Sequence, residues 1–308
     1  MSLHRLTQIV IGVPNVDETA QHYAEFGLAP VGDGKTFSTV DGGEQLRIVH
    51  SSRRRLVSLG VGADDTDDLN RVTASLSKLG VNAKTSDQSV EAVDPGTKVS
   101  VEIQIAERYT PAPFELPAYN GPGVDARLAQ RAPGILRETP VRPRKLGHVV
   151  LGSTDQEFSQ RFFQQGLGFK ISDTVPGLAA FMRCSSDHHN VLVQQAPLAF
   201  LHHTSWQVDD VDEIGRGASA MLAADPSRHV WGLGRHYVGS NFFWYLKDPA
   251  GNFSEYYADL DCIVDDALWE PGVWEGARGL YAWGAPPPPS FLAPEDLGAL
   301  MAGAHEDR

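Results

Sequence analysis

Cysteine is scarce in this sequence: only Cys184 and Cys262 occur among 308 residues. Two cysteines cannot build a disulfide framework, and so few are typical of a reducing compartment. Long apolar runs are also missing, because no run approaches the roughly eighteen residues that a membrane helix needs and the N-terminus lacks the apolar region of a signal peptide. We therefore expect a cytoplasmic protein without a membrane partner.

Basic clusters are short as well. Arg53, Arg54 and Arg55 form the densest one, and the formal net charge is −13 with a pI near 5.2. Binding along a phosphate backbone requires an extended basic surface, so nucleic acid is excluded as a partner. The composition, 42% hydrophobic and 21% charged, is that of an ordinary globular protein. A chain of 308 residues predicts two domains of about 150 residues each.

An internal repeat divides the chain into two halves. The segment L-T-Q-I-V-I-G-V begins at Leu6, and L-G-H-V-V-L-G-S begins at Leu146. Each segment reads as a strand and precedes a helical stretch, which we predict to end at Gly27-Leu28 in the first half and at Gly166-Leu167 in the second.

Each half contains a second copy of strand followed by helix. Strands at Leu56 and Leu201 lead through Asp-rich pairs into helices predicted at residues 67–79 and 212–223, whose acids suit helix N-termini. The halves then close with D-P-G-T-K-V-S-V-E-I and D-P-A-G-N-F-S-E-Y-Y, which read as a turn and a further strand. Four units of strand, helix and further strands are therefore predicted.

Units of this kind place helices on one side of a strongly curved sheet, whose other face encloses a cavity. The predicted fold class is α+β. We expect tandem domains at residues 1–110 and 144–261, joined by a linker rich in Pro, Gly and Arg at residues 111–143.

A tail, residues 262–308, is predicted to pack on the second domain through its three tryptophans. Its proline run at residues 286–289 predicts polyproline II. A short helix is predicted at residues 293–302.

The stretch from Gly234 to Tyr257 predicts a hairpin with an acid on its second strand. Phe242–Lys247 reads as one strand, the following D-P-A-G as a turn, and Phe253–Tyr257 as the returning strand. Alternation places Glu255 between two aromatic side chains on a buried face. A buried carboxylate requires a cation, a proton or a metal. For a lone Glu, an Arg salt bridge or a solvent-facing position on an edge strand is the better explanation.

Comparison of the halves separates these alternatives. Alignment on the shared patterns places His148 on Gln8, His203 on Ser58 and Glu255 on Val101. A single histidine is explained by a hydrogen-bonded core imidazole, but three ligand types that differ together indicate a metal site. Two imidazoles and one carboxylate form the facial triad of non-haem Fe(II) oxygenases, and zinc is the competing assignment.

Seven of the eleven histidines lie between positions 148 and 236. In S-D-H-H-N-V-L-V, we predict a strand on which His189 shares the cavity face with Val191 and Val193. In L-H-H-T-S-W-Q-V, His203 faces the cavity. The neighbours predicted to point away, as structural or solvent contacts, are His188 and His202.

The second half resembles the catalytic domain of the type I extradiol catechol dioxygenases of the vicinal oxygen chelate (glyoxalase/bleomycin resistance/dioxygenase) superfamily. The repeat resembles theirs along almost the whole chain. One departure is Trp244, where the family usually has a smaller aliphatic residue before the tyrosine. The residues that carry the resemblance are His148, His189, Leu201-His202-His203, Gly234, His236, Tyr245, Asp248-Pro249, Gly251 and Glu255.

The resemblance implies two tandem vicinal-oxygen-chelate domains, each built from two βαβββ units that form an open, curved, barrel-like mixed sheet. It implies Fe(II), or alternatively Mn(II), only in the second domain, and it implies homo-oligomers. The expected reaction inserts both atoms of O2 into a catecholic substrate and opens the ring next to the diol. The residues implied as metal ligands are His148, His203 and Glu255, and those implied as catalytic are His189, His236 and Tyr245.

Two other functions belong to different classes. Glyoxalase-type isomerases and thiol transferases complete their metal shell with a further Glu or Gln, for which Gln8 is the candidate here. A non-catalytic small-molecule-binding homologue would be expected to lack the metal ligands.

Aromatic residues near the predicted site favour a hydrophobic ring as the substrate. They are Trp206, Trp231, Phe243 and Trp244, and Arg235 is the only nearby candidate to bind a substrate carboxylate. We therefore expect a neutral catechol, bicyclic as in dihydroxybiphenyl or alkylated.

Overall fold

Four copies of one βαβββ unit follow one another along the chain. The computed structural model describes residues 3–306. Its first unit consists of β1 (Leu3–Val13), α1 (Val16–Glu25), β2 (Ala29–Val31), β3 (Thr36–Thr39) and β4 (Gly43–His50). Its second unit consists of β5 (Arg55–Ala63), α2 (Thr66–Lys78), β6 (Ala83–Thr85), β7 (Ser89–Val93) and β8 (Ser100–Ile105).

These two units share one sheet of eight strands in the order β2-β3-β4-β1-β5-β8-β7-β6. The antiparallel pair β1 and β5 lies at its centre, and each of the two pairs in parallel with the last strand of its own unit. A segment without long regular elements follows and contains α3 (Pro133–Leu136).

The second half repeats this arrangement. Its sheet has the order β14-β15-β16-β13-β9-β12-β11-β10-β17, again with an antiparallel central pair, β9 and β13. The third unit consists of β9 (Lys145–Ser153), α4 (Gln156–Arg161), a π-helical turn (Phe162–Leu167), β10 (Lys170–Val175), β11 (Ala179–Arg183) and β12 (Val191–Gln195). The fourth consists of β13 (Phe200–Gln207), α5 (Val211–Ala224), a 3-10 turn (Pro226–Arg228), β14 (His229–Arg235), β15 (Phe242–Lys247) and β16 (Phe253–Ala258).

The predicted fold is confirmed: the molecule is α+β, with two open mixed sheets built from βαβββ units. The predicted hairpin strands agree with β15 and β16 to within one residue. Both Asp-rich helix starts are also confirmed, because Asp65 and Asp210 accept hydrogen bonds from the backbone N–H groups of Asp68 and Glu213 and so cap α2 and α5. No helix in the described part of the chain has the length and apolarity needed to cross a bilayer.

One predicted helix end is confirmed and one predicted helix start is wrong. The helical stretch of the second half ends at Leu167, as predicted: α4 continues into the π-helical turn, and the following Gly168 has a φ of 91° in the left-handed region. The tail helix predicted at residues 293–302 begins later, at Leu297, because Pro294 interrupts the segment.

The tail contains more regular structure than predicted. Pro289 starts a short helix, since its fixed φ suits the first helical position. The backbone of Pro288 has φ −67° and ψ 153°, the polyproline II values expected for the run. The tail elements are β17 (Gly272–Val273), which extends the second sheet next to β10, 3-10 turns (Asp266–Leu268 and Gly276–Gly279), α6 (Pro289–Leu292) and α7 (Leu297–Glu306).

The two halves share one hydrophobic core. Helix α1 of the first half covers the convex face of strands β13 and β16. The Tyr23 hydroxyl lies 3.2 Å from Thr204 Oγ1, and the rings of Phe26 and Tyr256 stack with centroids 3.8 Å apart. Because side chains alternate along a strand, this contact leaves the neighbouring residues 203 and 255 on the opposite, concave face. Independent domains with limits at residues 110 and 144 stay a prediction.

Candidate metal centre and active site

Three neighbouring strands each contribute one metal-ligating side chain to the concave face. His148 lies on β9, His203 on β13 and Glu255 on β16, and these strands are adjacent in the sheet. In the register of the sheet, Ser205 of the middle strand pairs with both His148 and Glu255. Sheet register therefore brings together residues that are more than fifty positions apart in sequence.

The ligating atoms of this triad converge on one point. His148 Nε2 lies 3.1 Å from Glu255 Oε2, His203 Nε2 lies 3.6 Å from the same oxygen, and the two Nε2 atoms are 3.4 Å apart. All three side chains are buried, with Glu255 0% exposed. Among the residues that the structure describes, this is the group of three whose ligand atoms lie close enough to share one ion.

The pKa shifts of Glu255 and His203 suit the binding of a divalent cation. Burial alone would raise the pKa of Glu255, but the adjacent His148 and His236 imidazoles hold that pKa below its ordinary value, so the carboxylate is charged. Burial lowers the pKa of His203 well below its usual range, and repulsion from His202 lowers it further. Metal binding requires neutral imidazoles and an ionised carboxylate. Glu255 Oε2 is buried without a hydrogen-bond donor, so the residues present fit a metal ion.

The register of the sheet corrects one position of the predicted alignment between halves. Glu255 pairs with Ser205, whereas in the first half the equivalent Gly60 pairs with Glu102 rather than with Val101. The residue equivalent to Glu255 is therefore Glu102, and the prediction that all three ligand types are missing from the first half is wrong. That half retains an acid but has neither histidine.

The cause is one extra residue in a turn. Five residues lie between Asp94 and Ser100 in the first half, whereas only four lie between Asp248 and the equivalent Phe253. Lys98 lies within the longer turn and has a φ of 62°, in the left-handed region. A residue-by-residue alignment of the two Asp-Pro motifs cannot detect this insertion, because the strands after the turns have similar patterns.

His189 lines the cavity, but not from a strand. It precedes β12, and the side chains predicted to share its face, Val191 and Val193, are fully buried in the core instead. Leu192 and Gln194 face the cavity with His189. The prediction of a strand through His189 is therefore wrong, because the chain turns at this point and alternation starts only after it.

The ring of His189 packs beside the triad. Its centroid lies 4.2 Å from that of His148, and its Nδ1 lies 3.1 Å from Nδ1 of His188. Burial lowers the pKa of His189 well below its ordinary value, and the neighbouring His148 lowers it further. His188 points away from the cavity towards Asp173, as predicted.

His236 and Tyr245 form a hydrogen-bonded pair next to the triad. His236 Nδ1 donates to the Leu280 carbonyl, and its Nε2 lies 2.8 Å from the Tyr245 hydroxyl. Burial lowers the pKa of His236, so the ring is neutral and its Nε2 accepts a hydrogen bond from the Tyr245 hydroxyl. Burial, together with the nearby Glu255 carboxylate, raises the pKa of Tyr245 well above its ordinary value. The tyrosine is therefore a neutral phenol.

The sequence predicts that His202 points away from the cavity, but in the structure His202 belongs to the cavity lining. Its Nε2 lies 2.6 Å from the carbonyl oxygen of Phe291, and its Nδ1 lies 2.7 Å from Nδ1 of His203. A carbonyl only accepts, so His202 carries its proton on Nε2 and accepts at Nδ1. His203 then donates from Nδ1, which leaves the lone pair of its Nε2 for a metal. The signal that could have identified His202 is its position beside the ligand in L-H-H.

The cavity in front of the triad has a volume of about 90 Å³. Its lining is apolar apart from the histidines, Tyr245 and Gln194, and it includes no Lys or Arg. Part of the lining belongs to the tail. The remaining lining residues are Val150, Phe181, Leu192, Val238, Gly279, Leu280, Phe291 and Leu292.

The large aromatic residues expected at the substrate lie behind the cavity wall. Trp206 is fully buried and donates to Thr204 on the convex side, and Trp244 donates to His229. Trp231 and Phe243 pack behind the His236–Tyr245 pair. The Trp231 ring stacks on Tyr245, and the Phe243 ring stacks on His236. Arg235 binds Asp259 outside the cavity.

Comparison with known proteins agrees with this geometry. Residues 145–256 match the Glyoxalase/Bleomycin resistance protein/Dioxygenase superfamily. Metapyrocatechase 2 of Cupriavidus necator is 31% identical over 94% of this chain and 92% of its own length. The chain belongs to this superfamily, among its extradiol catechol dioxygenases.

Other members of the family differ in metal and activity. An iron-dependent extradiol dioxygenase of Rhodococcus jostii is 27% identical over 45% of this chain and 50% of its own. The Mn(II)-bound glyoxalase of Novosphingobium aromaticivorans superposes with a TM-score of 0.73 at 25% identity, covering 93% of both chains.

Substitution of His202 tests the hydrogen-bond chain that orients His203. We expect His202→Phe to fold but to bind Fe(II) or Mn(II) roughly 10- to 100-fold more weakly, because His203 loses the acceptor for its Nδ1 proton. Anaerobic titration of the apo protein against a chelator measures the affinity. His188→Phe is the matched control, because His188 is also a buried histidine but lies outside this series of hydrogen bonds. It should retain the wild-type metal affinity. Equal metal affinities of the two variants would contradict the role of His202 in orienting His203.

Proposed function

We propose that the protein is an extradiol dioxygenase, which inserts both atoms of O2 into a catecholic substrate and opens the ring next to the diol. The observation that carries this proposal is the triad itself: two imidazoles and one carboxylate converge at the wall of a cavity whose remaining lining is largely apolar. A divalent ion held by these three side chains would keep coordination positions free for a substrate and for O2. A full-length relative named metapyrocatechase supports the same reaction.

We propose His148, His203 and Glu255 as the ligands of Fe(II), with Mn(II) as the alternative. Relatives named for iron and for manganese are both similar to this chain, so the family supports a metal without selecting one. When bound, the ion brings catechol and O2 together and makes the catechol hydroxyls easier to deprotonate. Homo-oligomeric assembly and a cytoplasmic location stay predictions.

His189 is the proposed acid and base. Its Nδ1 faces His188 at 3.1 Å, which leaves Nε2 as the nitrogen that exchanges a proton with the substrate side. Burial keeps the ring neutral, so it can accept a proton from a catechol hydroxyl and return it later in the reaction.

Tyr245 and His236 are proposed to position the substrate oxygens. The phenol hydroxyl points to His236 Nε2, and the imidazole is in turn fixed by the Leu280 carbonyl. A proton given up by the substrate can therefore be shared along this pair, while the apolar cavity excludes competing water.

A glyoxalase-type activity is the second candidate, because the Mn(II)-bound glyoxalase has the same fold. Such enzymes are expected to use a fourth ligand, for which the sequence offers Gln8. That side chain donates to the Glu44 carbonyl in the first half and is not among the described residues that line the cavity. A non-catalytic binding protein is disfavoured by the complete triad.

A pair of assays separates these functions. The protein loaded anaerobically with Fe(II) and then exposed to air should turn 3-methylcatechol or 2,3-dihydroxybiphenyl into a yellow ring-opened product with uptake of one O2 per ring. Turnover of the methylglyoxal–glutathione adduct without O2, and no yellow product from any catechol, would instead identify the glyoxalase activity.

Substitution of His189 tests its proposed role. His189→Gln should retain the iron content of the wild type and lower kcat by about 100-fold or more, because glutamine cannot exchange a proton. His229→Gln, on the edge strand β14, is the control and should keep wild-type kcat. Loss of iron from His189→Gln would show that His189 is a ligand instead.

A further inference from the structure

The cavity in front of the triad is too small for the substrate of the proposed function. Its volume is about 90 Å³, whereas an apolar cavity of about 150 Å³ is known to admit a benzene ring. A catechol is larger than benzene. At least one lining side chain must therefore move before the ring can reach the metal ligands.

The strands are the least mobile part of the lining. His148 and His203 lie on the central strands of a nine-stranded sheet, with a hydrogen-bonded neighbour on each side. The tail residues that line the cavity do not lie on strands of this sheet, since Leu280 follows a short 3-10 turn and Phe291 lies in the four-residue helix α6. The part of the cavity lining that can move most easily is therefore the part contributed by the tail.

The Phe291 side chain occupies the space above the triad. It is 5% exposed, and its ring centroid lies 4.7 Å from that of Tyr245, 4.8 Å from Trp231 and 6.3 Å from the ligand His203. Among the tail residues in the lining, it is the one whose ring packs against both a proposed catalytic residue and a proposed ligand.

A second cavity lies next to the first one and shares the His202 side chain with it. It has a volume of about 280 Å³ and is lined by Ser290, Phe253 and residues of the Asp-Pro turn.

Charge limits what can enter. The basic residues at the second cavity are Arg54 and Lys247, and both bind tail acids: Arg54 Nε lies 2.6 Å from Asp296 and Lys247 Nζ lies 3.8 Å from Glu295. Neither is directed at the metal site, and no basic side chain lines the cavity in front of the triad. A substrate carboxylate would be buried there without a partner, which is costly.

We propose that Phe291 is the specificity-determining residue of the site: it swings aside to admit the ring and limits the substrate to neutral, monocyclic catechols with at most a short apolar substituent. This inference rests on the proposed function. It favours the alkylated catechol over the bicyclic one among the substrates expected from the sequence.

The test compares kcat/KM for 2,3-dihydroxybiphenyl with kcat/KM for 3-methylcatechol in Fe(II)-loaded enzyme. In wild type the ratio should be below one. In Phe291→Ala it should rise at least about tenfold, mainly through a lower KM for the bicyclic substrate, because the side chain that fills its space is removed. Phe291→Leu, which preserves more packing, should raise the ratio to a smaller extent and covers the case in which the alanine variant does not fold.

Leu268→Ala, at a tail residue that is 83% exposed and remote from the cavity, is the matched control and should leave the ratio unchanged. Iron content is measured for every variant so that activities refer to loaded sites. If wild type cleaves neither catechol, the proposed function itself fails. If wild type cleaves 3-methylcatechol but the ratio stays within about twofold in both Phe291 variants, the dioxygenase stands and the role of Phe291 is overturned.

Discussion

The burial of the Glu255 carboxylate is the constraint on which the site depends. A charged carboxylate that is 0% exposed is costly unless a cation compensates it, and no Arg or Lys reaches it in the described structure. The Nε2 atoms of His148 and His203 point at one of its oxygens, and Asn241 Nδ2 donates a hydrogen bond to the other. Together with the carboxylate, the two imidazoles can bind a divalent ion, which supplies the compensating charge.

The rest of the molecule holds this arrangement in place from two sides. Behind the triad, helix α1 of the first half packs against the convex side of the ligand strands through Tyr23 and Phe26. In front of it, the tail places Phe291 over the cavity, and the carbonyl of the same residue orients His202 and, through it, His203. The half that has no triad therefore has a structural role, and the tail contacts both substrate space and ligand.

Local patterns predicted the four βαβββ units, the hairpin strands and the residues of the triad, because strand alternation and the repeat are visible in sequence. Three features could not be predicted in this way. The extra turn residue Lys98 shifts the register by one, so Glu102 and not Val101 corresponds to Glu255. The contacts of His202 and Phe291 join residues 89 positions apart, and no periodic pattern encodes such a contact. The chain turns at His189, so the side chains begin to alternate between the two faces of the sheet only in β12, later than the sequence suggests.

The most direct test of the account is the position of the metal. Crystals of the protein loaded anaerobically with Fe(II) should show one anomalous iron peak in the second half, within bonding distance of Nε2 of His148, Nε2 of His203 and a carboxylate oxygen of Glu255. Iron at any other position, or iron at this position without the Glu255 oxygen in its shell, would contradict the account.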